Sequence, residues 1–214
     1  MTKKIKLIFI SVCLLSNSLL YPKVQKEREY NKKYNLSETL WQIKLSTTEV
    51  SEINKKIETE PVVRGIHLTS WVAGDDKLRK KMIENISNSV INTVVVAVKE
   101  KNGEVYIPGI DNTIKYKTYK PAILNPKKMI ADFNKLKLYK VARIVCFHDD
   151  ILPKHNPELA VRRPDGSVWK TRNGDMWVDP YNKKVWDYIM SIAEKAAEYG
   201  FDEIQFDYVR YPTE

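Results

Sequence analysis

The sequence predicts an α/β fold, the first half of a (β/α)8 TIM barrel. Two observations carry this. From Pro61 onward, apolar strand-like runs alternate with segments of helical periodicity. The long connections also follow strands two and three, on one side of the sheet only, which is where barrel enzymes build their sites. A doubly wound sheet is the alternative architecture.

Taking the elements in order, Val62–Leu68 reads as the first strand. Asp75 or Asp76 can cap a helix whose inward face is Leu78, Met82, Ile83 and Ile86. The second strand, Ile91–Val98, is a nearly continuous β-branched run of the kind buried on both faces of a parallel sheet. A loop rich in Tyr, Pro and Gly spans Glu100–Leu124. Asn125 then caps a helix with Pro126 at its first position and Met129, Ile130, Phe133 and Leu136 inward. Val141–Phe147 is the third strand. The loop His148–Val178 contains Arg163-Pro164-Asp165-Gly166-Ser167, a hairpin turn signal. Asp179-Pro180 opens a helix with Val185, Ile189, Ile192, Ala193 and Ala196 inward, and Ile204–Val209 is the fourth strand. No Gly-rich phosphate turn follows strand one, so no nucleotide fingerprint is present.

Two segments precede this domain of residues 61–214. Residues 1–20 have the layout of a signal peptide or membrane anchor, a basic start followed by the apolar run Leu7–Leu15. That run is short for a transmembrane helix. Membrane anchoring through residues 7–20 remains open, and either outcome places the protein outside the cell or in the envelope. Residues 21–60 are polar, mix Lys with Glu, and read as a partly helical linker.

The composition, with 43% apolar and 29% charged residues, is that of a soluble globular protein. The net charge is +9, but Lys3, Lys4 and Lys6 carry part of it in the leader and the remaining lysines alternate with acids. No basic stripe is present, so a nucleic-acid partner is not expected. Of the two cysteines, Cys13 lies in the leader and Cys146 in the third strand, where it reads as a small buried hydrophobe. No cysteine metal site or disulfide is expected in the domain if the leader is cleaved.

The residues with chemical potential lie at strand ends. Asp207 ends the fourth strand, where a carboxylate either reacts or pairs with Arg210 or Arg64. Arg210 would hold it ionised, as a nucleophile requires. Tyr208, Tyr211, Trp71 and Trp177 are candidate surfaces for a sugar ring, or packing residues. His67 follows strand one, and His148-Asp149-Asp150 follows strand three as candidate hydroxyl contacts. Lys99 and Glu100 end strand two as rim charges. Asp202 and Glu203 read as solvated, Asp179 as a helix cap, and His155 as exposed. One His beside two adjacent acids is weak metal spacing, so no metal or other cofactor is expected. A metal-dependent hydrolase or deacetylase using His148, Asp149 and Asp150 is the least favoured reading.

Four stretches together resemble the bacterial putative glycosyl hydrolase domain family: Arg64-Gly65-Ile66-His67-Leu68-Thr69, Ala142-Arg143-Ile144-Val145-Cys146-Phe147, Trp177-Val178-Asp179-Pro180, and Phe206-Asp207-Tyr208-Val209-Arg210-Tyr211-Pro212. The resemblance spans residues 62–214 and implies an amylase-like (β/α)8 barrel, export, and a polysaccharide or oligosaccharide substrate. It also implies Asp207 as the strand-four catalytic carboxylate. The family pattern has an Asp where this chain has Ala97, within Ala97-Val98-Lys99-Glu100.

Four strands make half of such a barrel, and glycoside hydrolysis normally uses two carboxyl groups across the scissile bond. The expectation is therefore a half barrel, a fragment inactive alone. Strands one and four would be open edges, and the partner carboxylate would belong to a later strand. A non-catalytic glycan-binding envelope protein is the competing reading.

Overall fold

The computed structural model describes residues 62–212 and the backbone of residues 6–9. Five parallel strands form one sheet: β1 (Lys6–Phe9), β2 (Gly65–Leu68), β3 (Thr93–Lys99), β4 (Tyr139–Val145) and β5 (Glu203–Asp207). Their order across the sheet is β1-β5-β4-β3-β2. The helices are α1 (Ser70–Gly74), α2 (Asp76–Ile86), α3 (Asp111–Lys115), α4 (Pro126–Lys135), α5 (Leu152–His155) and α6 (Lys183–Tyr199).

From β2 to β5 each strand lies beside its predecessor. A doubly wound sheet would reverse direction at a switch point; successive βα units of a barrel do not. One face of the sheet, carrying Leu68, Val94, Val96, Val98, Ala142, Ile144, Ile204 and Phe206, enters a single apolar core. Met129, Ile130 and Phe133 of α4 and Val185, Ile189 and Ile192 of α6 complete that core. The opposite face follows from the parallel register. Ala97 pairs with Arg143 and Arg143 with Gln205, while Val145 pairs with Asp207. Alternation therefore sets Arg143 and Asp207 on the same, non-core face.

Several elements form for the reasons read in the sequence. Asp75 caps α2 by accepting from Leu78 N–H at 2.8 Å, and Asn125 caps α4 by accepting from Lys128 N–H at 3.0 Å, with Pro126 in the first turn. Gly200 ends α6 in the left-handed conformation at φ 107°. The 163–167 hairpin is present, with Arg162 bridging Val168.

Other expectations are corrected. The first strand is shorter than predicted, because Val62–Arg64 precede the pairing with β3. Leu78 on α2 is exposed and Arg79 is the buried residue; its guanidinium donates to Asp76, Asp132 and the carbonyls of Ala73 and Gly74. The cap of α6 is Asn182, which accepts from Lys184 N–H at 3.0 Å, whereas Asp179 closes the preceding turn by accepting from Tyr181 N–H. Asp202 and Glu203 are not free loop acids. Lys140 lies 2.5 Å from Asp202, and Tyr139 donates to Glu203 at 3.2 Å.

The outer edge of β5 is not open, since Lys6–Phe9 pair along Glu203–Phe206. The sheet edges are β1 and β2. The other residues of 1–20, read as a signal peptide or anchor, and residues 21–60, read as a linker, lie outside the described residues. Among the described residues, no helix is long and apolar enough to cross a membrane.

Candidate active site

The site is built at the C-terminal ends of β3, β4 and β5. Arg143 rises from the middle of β4 on the non-core face, next to the end of β5. Its Nη2 lies 2.7 Å and its Nε 2.8 Å from Asp207 Oδ2, and its Nη1 lies 3.1 Å from Glu100 Oε1. One guanidinium thus bridges two carboxylates from two strand ends. Burial opposes the charge on Arg143, but Asp207 and Glu100 outweigh it and hold its pKa above the ordinary value. The Asp207 side chain is 38% exposed, so it stays reachable from solvent.

The expected partner of Asp207, Arg210, is elsewhere. Its guanidinium sits over the rings of Trp177 at 4.9 Å and Tyr208 at 5.6 Å. The reason is the turn at the end of β5. Tyr208 adopts φ 54°, a left-handed conformation that costs a non-glycine residue energy. This turn aims the Tyr208 N–H back at Asp207 Oδ1, 2.7 Å away, and sends the following residues off the strand line.

An aromatic shelf stands beside the acid. His148 stacks on Trp177, with centroids 5.0 Å apart at 17°, and meets Tyr208 edge-on at 5.4 Å. The shelf forms because residues 176–178 fold back onto the chain leaving β4. His148 bridges Trp177, Asp149 N–H donates to Met176 O, and Val178 N–H donates to Phe147 O. Trp177 is buried, with His148 on one side and the Arg210 guanidinium over its ring. It is a pillar of the shelf, which matches the packing alternative of the sequence reading. Tyr208 is half-buried and closer to solvent.

His148 is buried, and burial pushes its imidazole pKa below the ordinary value; Asp150 and Asp175 work against that shift. Asp149, expected to touch substrate, is turned inward. It pairs with Lys99 at 2.9 Å, both side chains essentially inaccessible, and accepts from Ile151 and Leu152 N–H. Lys99 is therefore no rim charge. A register shift between Ala97 and Lys99 ends β3, and there Lys99 also donates to Val145 O at 2.9 Å. Gly103 is needed where the next loop crosses this pair, since a Cβ there would lie 2.2 Å from Asp149 Oδ1. Cys146 is a buried residue as expected, its thiol pushed up to about 12 by burial.

The remaining candidates stand apart from the acid. Trp71 on α1 is half exposed and meets Tyr106 edge-on at 6.4 Å. His67 is exposed on the edge strand β2. Tyr211 tilts against Tyr181 at 5.6 Å, and burial together with the Tyr181 hydroxyl pushes its phenol up to about 12. Arg143 and Glu100 are the members given no pairing with Asp207 in the sequence reading. The signal for Arg143 was a single cation in the apolar run Val141–Phe147.

Residues 65–214 match the family described as a putative glycosyl hydrolase domain. The chain belongs to that family. A family-sized likeness also appears among solved structures. A hypothetical protein from Ruminiclostridium thermocellum shares 36% identity, with a TM-score of 0.65 over 69% of this chain and 78% of that one. More distant is a noncanonic maltogenic α-amylase from Thermotoga neapolitana, at 20% identity, TM-score 0.46, and 66% and 38% coverage. A β-N-acetylhexosaminidase from Streptomyces coelicolor aligns at 12% identity, TM-score 0.49, and 69% and 33% coverage. The chain thus spans well under half of either enzyme. No curated protein matches it.

Proposed function

We propose that this member of the glycosyl hydrolase domain family is a glycoside hydrolase-type protein acting on a polysaccharide or oligosaccharide, with Asp207 as its anionic carboxylate. The observation that carries the reading is the Arg143 bridge. This carboxylate is reachable from solvent, lies at a parallel strand end and is held against a guanidinium at 2.7 Å. That placement suits a nucleophile, or the group that stabilises an oxocarbenium-like transition state. The Arg143–Asp207 pair also fixes the direction of the free lone pairs, because Oδ1 is already occupied by the Tyr208 N–H. Glu100 shares the same guanidinium at 3.1 Å. Both carboxylates are engaged by Arg143, so the reading assigns proton donation to the leaving oxygen to another group. Tyr208 and Arg210 form the accessible rim against which a sugar ring would rest, with Trp177 and His148 beneath them.

Export belongs to the same proposal, supported by the basic and then apolar pattern of residues 1–20. A cleaved leader cannot also serve as β1, so the N-terminal residue of protein recovered outside the cell decides between these roles.

The test is reducing-end release from soluble oligosaccharides and envelope polysaccharide, with glycan binding measured in parallel. Release by the wild type that falls roughly 100- to 1,000-fold in Asp207→Asn, with binding retained, is the expected result. Binding without release in the wild type would replace the enzyme by a non-catalytic glycan-binding protein. Absence of both would sink both readings.

A further inference from the structure

We infer that His148, Asp150 and Asp175 form a binding site for a first-row divalent cation of the zinc or manganese type. One ligand atom from each of these residues lies within 4.8 Å of the others. The acids come from separate places, Asp150 just after β4 and Asp175 where the chain returns from a second turn at residues 171–174, so folding alone brings them together. The observation that points to a ligand is His148. It is 94% buried (6% exposed), and neither ring nitrogen has a hydrogen-bond partner. A buried imidazole with both nitrogens unpaired is costly unless something occupies them. One of them lies within 4.8 Å of an oxygen of each of two carboxylates. Stacking on Trp177 and edge contact with Tyr208 lock the ring plane, which removes the option of turning toward another partner.

The donor set narrows the ion. Carboxylate oxygens alone would suit magnesium, calcium or manganese, but an imidazole nitrogen moves the preference toward zinc and its neighbours, and the mixed set of one nitrogen and two carboxylates spans the zinc and manganese range. A cation about 2.1 Å from each donor needs mutual donor separations no greater than about 4.2 Å. The observed cluster would close by a few tenths of an ångström, within the reach of carboxylate rotation. Asp150 is already oriented, because it accepts the Met176 N–H at 2.8 Å. Such an outer contact is typical of a ligand held ready for a metal. Lys99 and Lys101 are the cations whose charges reach His148, and Lys99 is neutralised by Asp149.

The cation would tie the segment running from Asp175 to Val178 to the end of β4 and so hold Trp177 and Tyr208 in place. This role is positional and does not depend on what Asp207 does. It also differs from the set read in the sequence, since Asp149 is committed to Lys99 and Asp175 takes its place.

The test uses the full chain freed of metal with a chelator, then titrated separately with Zn2+, Mn2+ and Mg2+ in a calorimeter, with melting followed by tryptophan fluorescence. The expected result is one equivalent of Zn2+ or Mn2+ per chain, bound at least tenfold more tightly than Mg2+, with a rise in melting temperature. Asp175→Asn and Asp150→Asn should each weaken binding at least tenfold while leaving the circular dichroism of the chelated protein unchanged. The Mn2+ complex should show nitrogen hyperfine coupling that His148→Gln abolishes. No saturable binding would overturn the proposal, as would Mg2+ binding as tightly as Zn2+, or affinity unchanged in Asp175→Asn. A variant that fails to fold is replaced by the hyperfine measurement on the wild type, where absent nitrogen coupling overturns it equally.

Discussion

Arg143 and Asp207 meet side by side on the sheet, guanidinium to carboxylate at 2.7 Å, although 64 positions separate them in the chain. The contact exists because β4 and β5 are adjacent and in parallel register, with Arg143 opposite Gln205 and so one alternate position below Asp207. The same guanidinium also holds Glu100. Arg143→Met should leave two like charges facing each other. The expected loss is roughly 1–3 kcal/mol, towards the low end because both carboxylates are partly solvated. Arg143→Lys should recover only part of it, since an ammonium cannot span two carboxylates as a planar fork does. Urea midpoints of the three proteins check this; equal stability of Met and Arg would show that the bridge contributes nothing, and equal stability of Lys and Arg that the fork geometry adds nothing.

Tyr208 provides a second prediction. Its left-handed backbone costs a non-glycine residue roughly 1–2 kcal/mol. Tyr208→Gly should remove that strain and also lose the ring contacts, so the net change in unfolding free energy should stay within about 1 kcal/mol. Tyr208→Val should be clearly less stable than Tyr208→Gly, because a β-branched side chain tolerates positive φ poorly. Comparable midpoints for Val and Gly would remove strain from the account. Under the proposed function, both variants should bind glycan more weakly than the wild type.

The buried pair Lys99–Asp149 is a stability element. Lys99→Met should cost about 3–5 kcal/mol by stranding the Asp149 carboxylate in the interior. Lys99→Met combined with Asp149→Asn should be more stable than Lys99→Met alone, because no buried charge is left over. Denaturant unfolding of the single and double variants is the measurement. A double variant as weak as the single one would mean that packing, not charge, dominates there.

His148 makes stability depend on pH in metal-free protein. Burial lowers its folded-state pKa below the unfolded value of about 6.5, while Asp150 and Asp175 counter and Lys101 and Lys99 reinforce that shift. The unfolded chain therefore binds the proton first. This contribution is fully present above about pH 6.5 and is lost as pH falls through the lower folded-state value. Between pH 7.5 and 5.5, with chelator present, the wild type should lose more stability than His148→Gln. Parallel slopes for the two proteins would exclude His148 as the source.

Much of the fold was legible because it rests on local rules. The apolar runs, Asp75 and Asn125 as caps, Pro126 in a first turn and the 163–167 turn each announce themselves within a few residues. The acid at the end of β5 was legible for the same reason, a polar residue closing an apolar strand. The roles of neighbouring charges were not. Arg210 is the near cation in sequence, yet the positive φ at Tyr208 carries it away to the Trp177 ring. Asp149 and Asp150 are adjacent in sequence but serve different structures, one paired with Lys99 and the other holding the hairpin.

Sequence alone therefore settled the α/β class, the order of the four strands β2 to β5 and of the three longer helices between them, and the strand-end position of Asp207, because periodicity and capping are short-range properties. Only the tertiary structure decided that Arg143 is the partner of Asp207, that Lys99 and Asp149 are interior, and that Asp175 joins His148 and Asp150. Those outcomes depend on strand order, register and loop return. They are long-range pairings that no local pattern encodes.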